Sequence, residues 1–403
     1  MLTPILLVSI LAAPEADWPQ WRGPARDGRV QGFVIPSEWP AKLSQVWKID
    51  VGEGHASPVV RGGRVYLHAR QKDQEFARAI DLATGKVLWS DAVAAPYEMN
   101  QYARGHGPGP KSTPTIAGDA LVTFGISGIL SVLELSSGAV RWRKEFSKEF
   151  PATAPEFGTA LSPLVEGESV IAHVGGKDQG SLRAFRLRDG ATVWSFDGDG
   201  PAYSSPVAVE LAGARQVVTQ TQTRLLGLSL KDGKLLWSLP FATDYDQNSI
   251  TAAVAGDLLL YSGYQKALAA LRLDRANGGI SAKEAWRNDD VNLFMSTSVV
   301  EGGLVFGMSQ KKKGQLFCLE ASTGKTLWKG EGGLGDNAAV LTLGGVIAVL
   351  TDGAELIFAK AQRAKLELLA KYKVAESPTW AHPALVGDRI LIKDKHALIA
   401  YRF

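Results

Sequence analysis

A single cysteine, Cys318, among 403 residues excludes an intramolecular disulfide. It lies in the alternating stretch Gln315-Leu-Phe-Cys-Leu319, where it reads as a small buried hydrophobe. Charge of one sign is not in excess either. The 44 basic and 41 acidic residues are spread along the chain, leaving a formal +3 and no basic stripe, so nucleic acid is not expected as a partner. The run Lys311-Lys-Lys313 falls between strand patterns and reads as a solvated turn. No apolar run reaches the length of a membrane-spanning helix. Ile5 to Ala13 is short and is followed by Ala-containing residues before Asp17, the pattern of a secretory signal lost near Ala13 or Ala16. No cysteine follows it, so no lipid anchor is expected. Residues 1–16 are thus read as a signal peptide, and the mature chain as periplasmic or extracellular, without a transmembrane segment. His-x-x-x-His and acidic calcium-loop patterns are missing, so no metal site is predicted. No Ser/Pro-rich linker or charge block divides the remainder, which argues for one large module.

What is present is repetition. Asp81-Leu-Ala-Thr-Gly85-Lys-Val-Leu-Trp89 returns as Leu230-Lys-Asp-Gly233-Lys-Leu-Leu-Trp237 and as Glu320-Ala-Ser-Thr-Gly324-Lys-Thr-Leu-Trp328. Seven tryptophans, Trp47, Trp89, Trp142, Trp194, Trp237, Trp286 and Trp328, stand 42 to 53 residues apart, the period of a propeller blade. A second marker opens each unit: Ser57-Pro58, Thr113-Pro114, Ser162-Pro163, Ser205-Pro206, Thr251-Ala252, Ser298-Val299, Ala338-Ala339 and His382-Pro383. Between markers run three short apolar strands with Gly-containing turns, then the Gly-Lys turn and a fourth strand carrying the Trp. The last unit has only three strands, and a strand near Gln45 to Ile49 has no blade of its own. Joining them gives an all-β, eight-bladed propeller of four-stranded antiparallel blades, closed by pairing the N-terminal strand with the C-terminal blade. A seven-bladed ring with one segment left outside is the alternative. The seventh unit is the most divergent; residues 362–372 can be read as a helix or, from the alternation of Leu366, Leu368 and Ala370, as a strand. Residues 43–403 are therefore assigned to the propeller, and residues 17–42, with Trp18, Trp21 and Arg22, to an extension packed over a face or edge of the ring.

Ala79-Ile-Asp81-Leu-Ala-Thr84-Gly85-Lys86-Val-Leu-Trp89 resembles the repeat of the pyrroloquinoline-quinone-like (PQQ-like) β-propeller family, and the resemblance covers residues 40–403. Trp18-Pro-Gln-Trp21-Arg22-Gly23-Pro24 to Gly28 is similar to the opening of many secreted bacterial members. The family includes quinoprotein alcohol dehydrogenases and an outer-membrane assembly scaffold. The dehydrogenases would imply PQQ with calcium, held by Glu, Asn and Asp, a catalytic Asp and adjacent disulfide-bonded cysteines. With one cysteine and no Asp assignable to that position, no catalytic residue and no cofactor are assigned. The repeat itself is structural: its glycines serve tight turns and its tryptophans pack blade on blade.

Function is expected where the repeat breaks down, in the loops that cross one face toward the axis. These carry Arg104 and His106 in a Gly/Pro-rich loop, Tyr203, then Tyr245, Asp246, Gln247 and Asn248. Asn292, Asn337, Trp380 and His382 complete the candidate ligand-binding set. His106 beside Arg104 suits an anionic ligand or acid/base work, and His382 with Asp246 can complete a site across the axis. The expected function is a monomeric interaction or ligand-binding module that receives a protein partner or a small molecule at the funnel face. A quinone-dependent or other oxidoreductase, a hydrolase, and a carbohydrate-binding propeller are the alternatives.

Overall fold

A computed structural model describes residues 17–276 and 279–403. The expected signal peptide lies outside the described residues. Eight four-stranded antiparallel sheets form the ring. Blades 1 to 7 span residues 59–94, 115–144, 164–198, 207–240, 253–292, 299–329 and 338–373. Blade 8 takes three strands from residues 384–402 and its outermost strand, Ser44–Asp50, from the N-terminal side. Trp47 pairs with Ala400 and Asp50 with Ala397, which closes the ring. Residues 368–373 of blade 7 form a strand; Ala370, opposite Phe358, stands in the register of the blade tryptophans, and Tyr372, two residues on, donates its hydroxyl to Pro40 O at 2.9 Å.

Two recurrent contacts explain the two sequence markers. The indole N–H of each serial Trp reaches a carbonyl of the following blade: Trp47 to Leu82, Trp89 to Leu135, Trp142 to Leu187, and Trp286 to Ala321, at 2.8–3.1 Å. The repeat glycine of that blade lies against the same ring, so a Cβ on Gly324 would stand 2.3 Å from Trp286. Trp237 departs from the rule. It bonds Gln216 of its own blade at 2.5 Å, because blade 5 replaces the tight turn with a long hairpin, Ala267–Ala276 with Gly279–Asn292.

The Ser/Thr marker forms a belt around the axis. Backbone N–H groups of His382, Ser57, Thr113, Ser162, Ser205 and Thr251 each donate to the hydroxyl of the next blade's marker, from Ser57 round to Thr297, at 2.8–3.4 Å. In blade 6 the hydroxyl in register is Thr297, one residue before the Ser298 of the sequence marker. Ala338 and His382 supply no such hydroxyl, and here Ala338 N bonds Ser296 Oγ instead.

Residues 18–30 occupy the centre of the ring rather than its outer edge. Trp18 bridges Val60 of blade 1, Ile116 N of blade 2 bonds Pro19 O, and Arg29 pairs with Thr342 of blade 7. The segment therefore rises from the face that carries the inner hairpin turns, reverses, and leaves the same way. Arg26 lies at the axis, its guanidinium donating to Ser162 O, Pro163 O, Pro206 O and Thr115 Oγ1, and to Gln20 Oε1 at 2.7 Å. Arg22 donates across the channel to Thr297 O and Ser298 O of blade 6 at 2.9 and 2.7 Å. Burial pulls their pKa values down to about 10 and about 9 for Arg22 and Arg26, still protonated at neutral pH. Planar guanidinium groups suit this task because several fixed donors meet several carbonyls that a narrow channel hides from water.

Candidate functional site

With the channel blocked by that segment, the opposite face holds an open funnel of about 380 Å³, closed at its base. The belt hydroxyls line its waist and Trp21 its base. Trp21 meets His382 edge-on, with ring centroids 5.3 Å apart. One wall gathers aromatic rings: His106 packs against Trp380 at 4.4 Å, and His55 stands 5.9 Å from His106. The other carries Phe157 and Tyr203, 6.0 Å apart, with the Tyr203 hydroxyl accepting from Phe157 N. A short 3₁₀ helix, Gln101–His106, capped by Asn100, presents His106 to this space.

Of the eleven residues singled out from the sequence, His106, Tyr203, Gln247, Asn337, Trp380 and His382 line the funnel. Arg104 is exposed on the outer side of the 3₁₀ helix. Tyr245 and Asp246 form a bend in left-handed conformation, and Tyr245 is 66% exposed. Neither is among the lining residues. Asn248 is fully buried and clamps loops by donating to Thr221, Gln222 and Phe241 carbonyls, while Asn292 accepts from Ser309 Oγ. His55, Lys111 and Trp21 line the funnel without having been singled out for it. His55 and Lys111 sit just before inner-strand starts, and that shared offset from the Ser/Thr-Pro marker was the available signal.

The funnel's electrostatics are one-sided. Its lining includes no Asp or Glu. Burial lowers the pKa of His55 and His382 to about 3, with Arg22 adding to the effect at His382, and lowers that of His106. These imidazoles are neutral at pH 7, leaving Lys111 as the cation at the wall. Its ammonium donates to Phe157 O at 2.6 Å, and burial brings its pKa to about 8.

A PQQ–calcium centre does not fit this lining. Calcium takes six or more hard oxygen ligands, usually including carboxylates. The funnel offers none, and no group of three His, Cys, Asp or Glu suited to a metal occurs among the described residues. Cys318 is free and buried in blade 6, its thiol pushed up to about 12.

Fold and funnel define a PQQ-like eight-bladed β-propeller whose central channel is open at one face and filled by its own N-terminal segment. Within that class, the chain belongs to the family described as outer membrane protein assembly factor BamB, whose model matches residues 41–104 and 73–330. The assembly factor BamB of Yersinia pestis is 23% identical over 376 residues, 88% of each chain. Among solved structures, BamB from Moraxella catarrhalis superposes with a TM-score of 0.65 at 17% identity, covering 90% of this chain and 98% of its own. The quinohemoprotein alcohol dehydrogenase of Comamonas testosteroni gives 0.69 at 15% identity, covering 96% and 80%. At such identities the structural likeness speaks for the fold, which scaffolds and enzymes share. No helix among the described residues is long and apolar enough to cross a membrane.

Proposed function

We propose that the protein is a monomeric, extracytoplasmic binding module that takes a small-molecule ligand into the central funnel. The observation that supports this most is the funnel itself: a closed base at Trp21, aromatic walls and a few polar groups, at a volume typical of small-molecule sites. Binding is favoured over catalysis by how the polar groups are used. The belt hydroxyls accept from backbone amides, and the imidazoles have no carboxylate beside them in the lining to orient a base. Native mass spectrometry of the protein isolated from its own cell envelope tests the reading. A non-covalent small molecule is expected, lost in Trp380→Ala. A co-isolated protein that stays bound when Tyr203→Arg fills the funnel, with no small ligand, would overturn it.

That second outcome corresponds to the scaffold reading, favoured by the full-length similarity to BamB. On it, the ring face, and not the funnel, holds a protein partner.

A further inference from the structure

We propose that the ligand is a small organic acid, its carboxylate paired with the Lys111 ammonium and its apolar body resting on Trp21, Phe157 and Trp380. This rests on the reading of the funnel as a ligand site and names the chemistry that site would take.

Three observations carry it. First, Lys111 has a single hydrogen-bond acceptor, Phe157 O, for three donors, and no carboxylate lies within ion-pair distance of it among the described residues. A lysine enclosed in a wall without a counter-ion is costly, and an incoming anion supplies what is missing. Second, nothing in the lining repels an anion, and the field from below attracts one. Arg22 lies under Trp21, its guanidinium 5.5 Å from the ring centroid, with its N–H groups already committed to backbone carbonyls. It contributes charge without competing as a hydrogen-bond donor. Third, His382 lines that base, and its buried Nδ1 has no hydrogen-bond partner, so the imidazole's polar capacity is not fully used within the fold. The apolar share of the wall argues against a bare inorganic ion, which would leave those rings uncovered.

The groups around Lys111 fix how binding should respond to pH. His55 and His106 feel its charge and are neutral above pH 7; Asp336, exposed, acts on His106 from outside the lining. Lys393, behind His55 and outside the lining, also has its pKa brought by burial to about 8, but its ammonium is committed to the Gly52, Gly54 and Asp394 carbonyls. Lys111 is the lining group that changes charge between pH 7 and 9, and a pH dependence that disappears in Lys111→Met belongs to it.

The test is isothermal titration of the full mature protein with benzoate and indole-3-acetate, against their neutral amides, at pH 7 and pH 9. The acids should bind saturably and roughly tenfold or more tightly than the amides, as expected for a charge-assisted bond. Their affinity should fall between pH 7 and 9, although the acids stay ionised throughout. Lys111→Met should remove the preference for the acid while unfolding at a temperature no lower than the wild type. Equal binding of acids and amides to the wild-type protein, which needs no variant, would overturn the anion proposal and leave the funnel-ligand reading standing. An unchanged acid preference in Lys111→Met would overturn it as well, as would no saturable binding of the acids. Failure of the funnel-ligand reading is seen separately, as a small-molecule-free native mass spectrum with a protein partner retained.

Discussion

Trp21 meets His382 edge-on at 5.3 Å, which joins the N-terminal segment to the last blade's inner-strand start at the base of the funnel. Residues distant in sequence thus form one surface, and the funnel depends on a segment outside the repeats. Removing the Trp21 ring should open the funnel toward Arg22. We expect Trp21→Ala to lose roughly 2–4 kcal/mol of stability, the usual range for deleting a packed aromatic, discounted for partial exposure. Ligand binding should be lost with it. Chemical unfolding and titration report the two effects separately, and unchanged binding would show that the base of the site lies elsewhere.

The Arg26 guanidinium acts as a pin across blades 2, 3 and 4. Arg26→Met should leave the carbonyls of Ser162 and Pro206 buried without that donor, while Pro163 O keeps the Thr115 hydroxyl, costing about 2–5 kcal/mol. Arg26→Lys should recover only a part, because one ammonium cannot span the same fan of acceptors. Full recovery by lysine in urea unfolding would mean that charge, and not geometry, holds the plug.

The repeat glycine and the preceding blade's tryptophan act as a couple. At Gly324, φ is +69° and a Cβ would stand 2.3 Å from Trp286, so alanine meets both backbone strain and overlap. At Gly302, φ is +55° with no heavy atom within 4 Å, so alanine meets strain alone. Gly302→Ala should cost roughly 1–2 kcal/mol, and Gly324→Ala a further 1–3 kcal/mol. Equal thermal shifts in the two variants would remove the packing role assigned to this glycine.

The fold was legible because its determinants recur. Trp, Gly and the Ser/Thr marker each make one local contact, repeated at fixed spacing, and the orphan strands at either end imply closure. The funnel was legible only in part. The topology brings loop residues such as His106, Tyr203 and Trp380 to one face, but loop conformation decides which side chains turn inward. Arg104 and His106 are two residues apart on one 3₁₀ turn, and only His106 faces the funnel. Asn248 has the polarity of a ligand contact but satisfies three backbone carbonyls. Trp21 and Arg22 belong to no repeat, so no spacing rule could bring them to the axis; only the free carbonyls along the inner strands call for donors there.

Glu75 and His68, 3.4 Å apart and buried between blades 1 and 2, make stability depend on pH. Burial raises the Glu75 pKa to about 7, against the bond from Ile126 N, and lowers that of His68 to about 3. The two act in opposite directions. A raised Glu75 pKa means that its stabilising contribution is complete below the unfolded value, near 4.5, and is lost as pH rises through about 7. A lowered His68 pKa means that its contribution is complete above about 6.5 and is lost as pH falls toward 3. Between pH 6.5 and 8, Glu75 therefore governs the response of this pair. Glu75→Gln keeps an acceptor for Ile126 N and cannot ionise, so its stability relative to wild type should improve as pH rises from 5 to 8, by up to about 3 kcal/mol. Urea unfolding at both pH values measures the change. A difference independent of pH would mean that Glu75 is ionised across the range, with its charge met inside the fold.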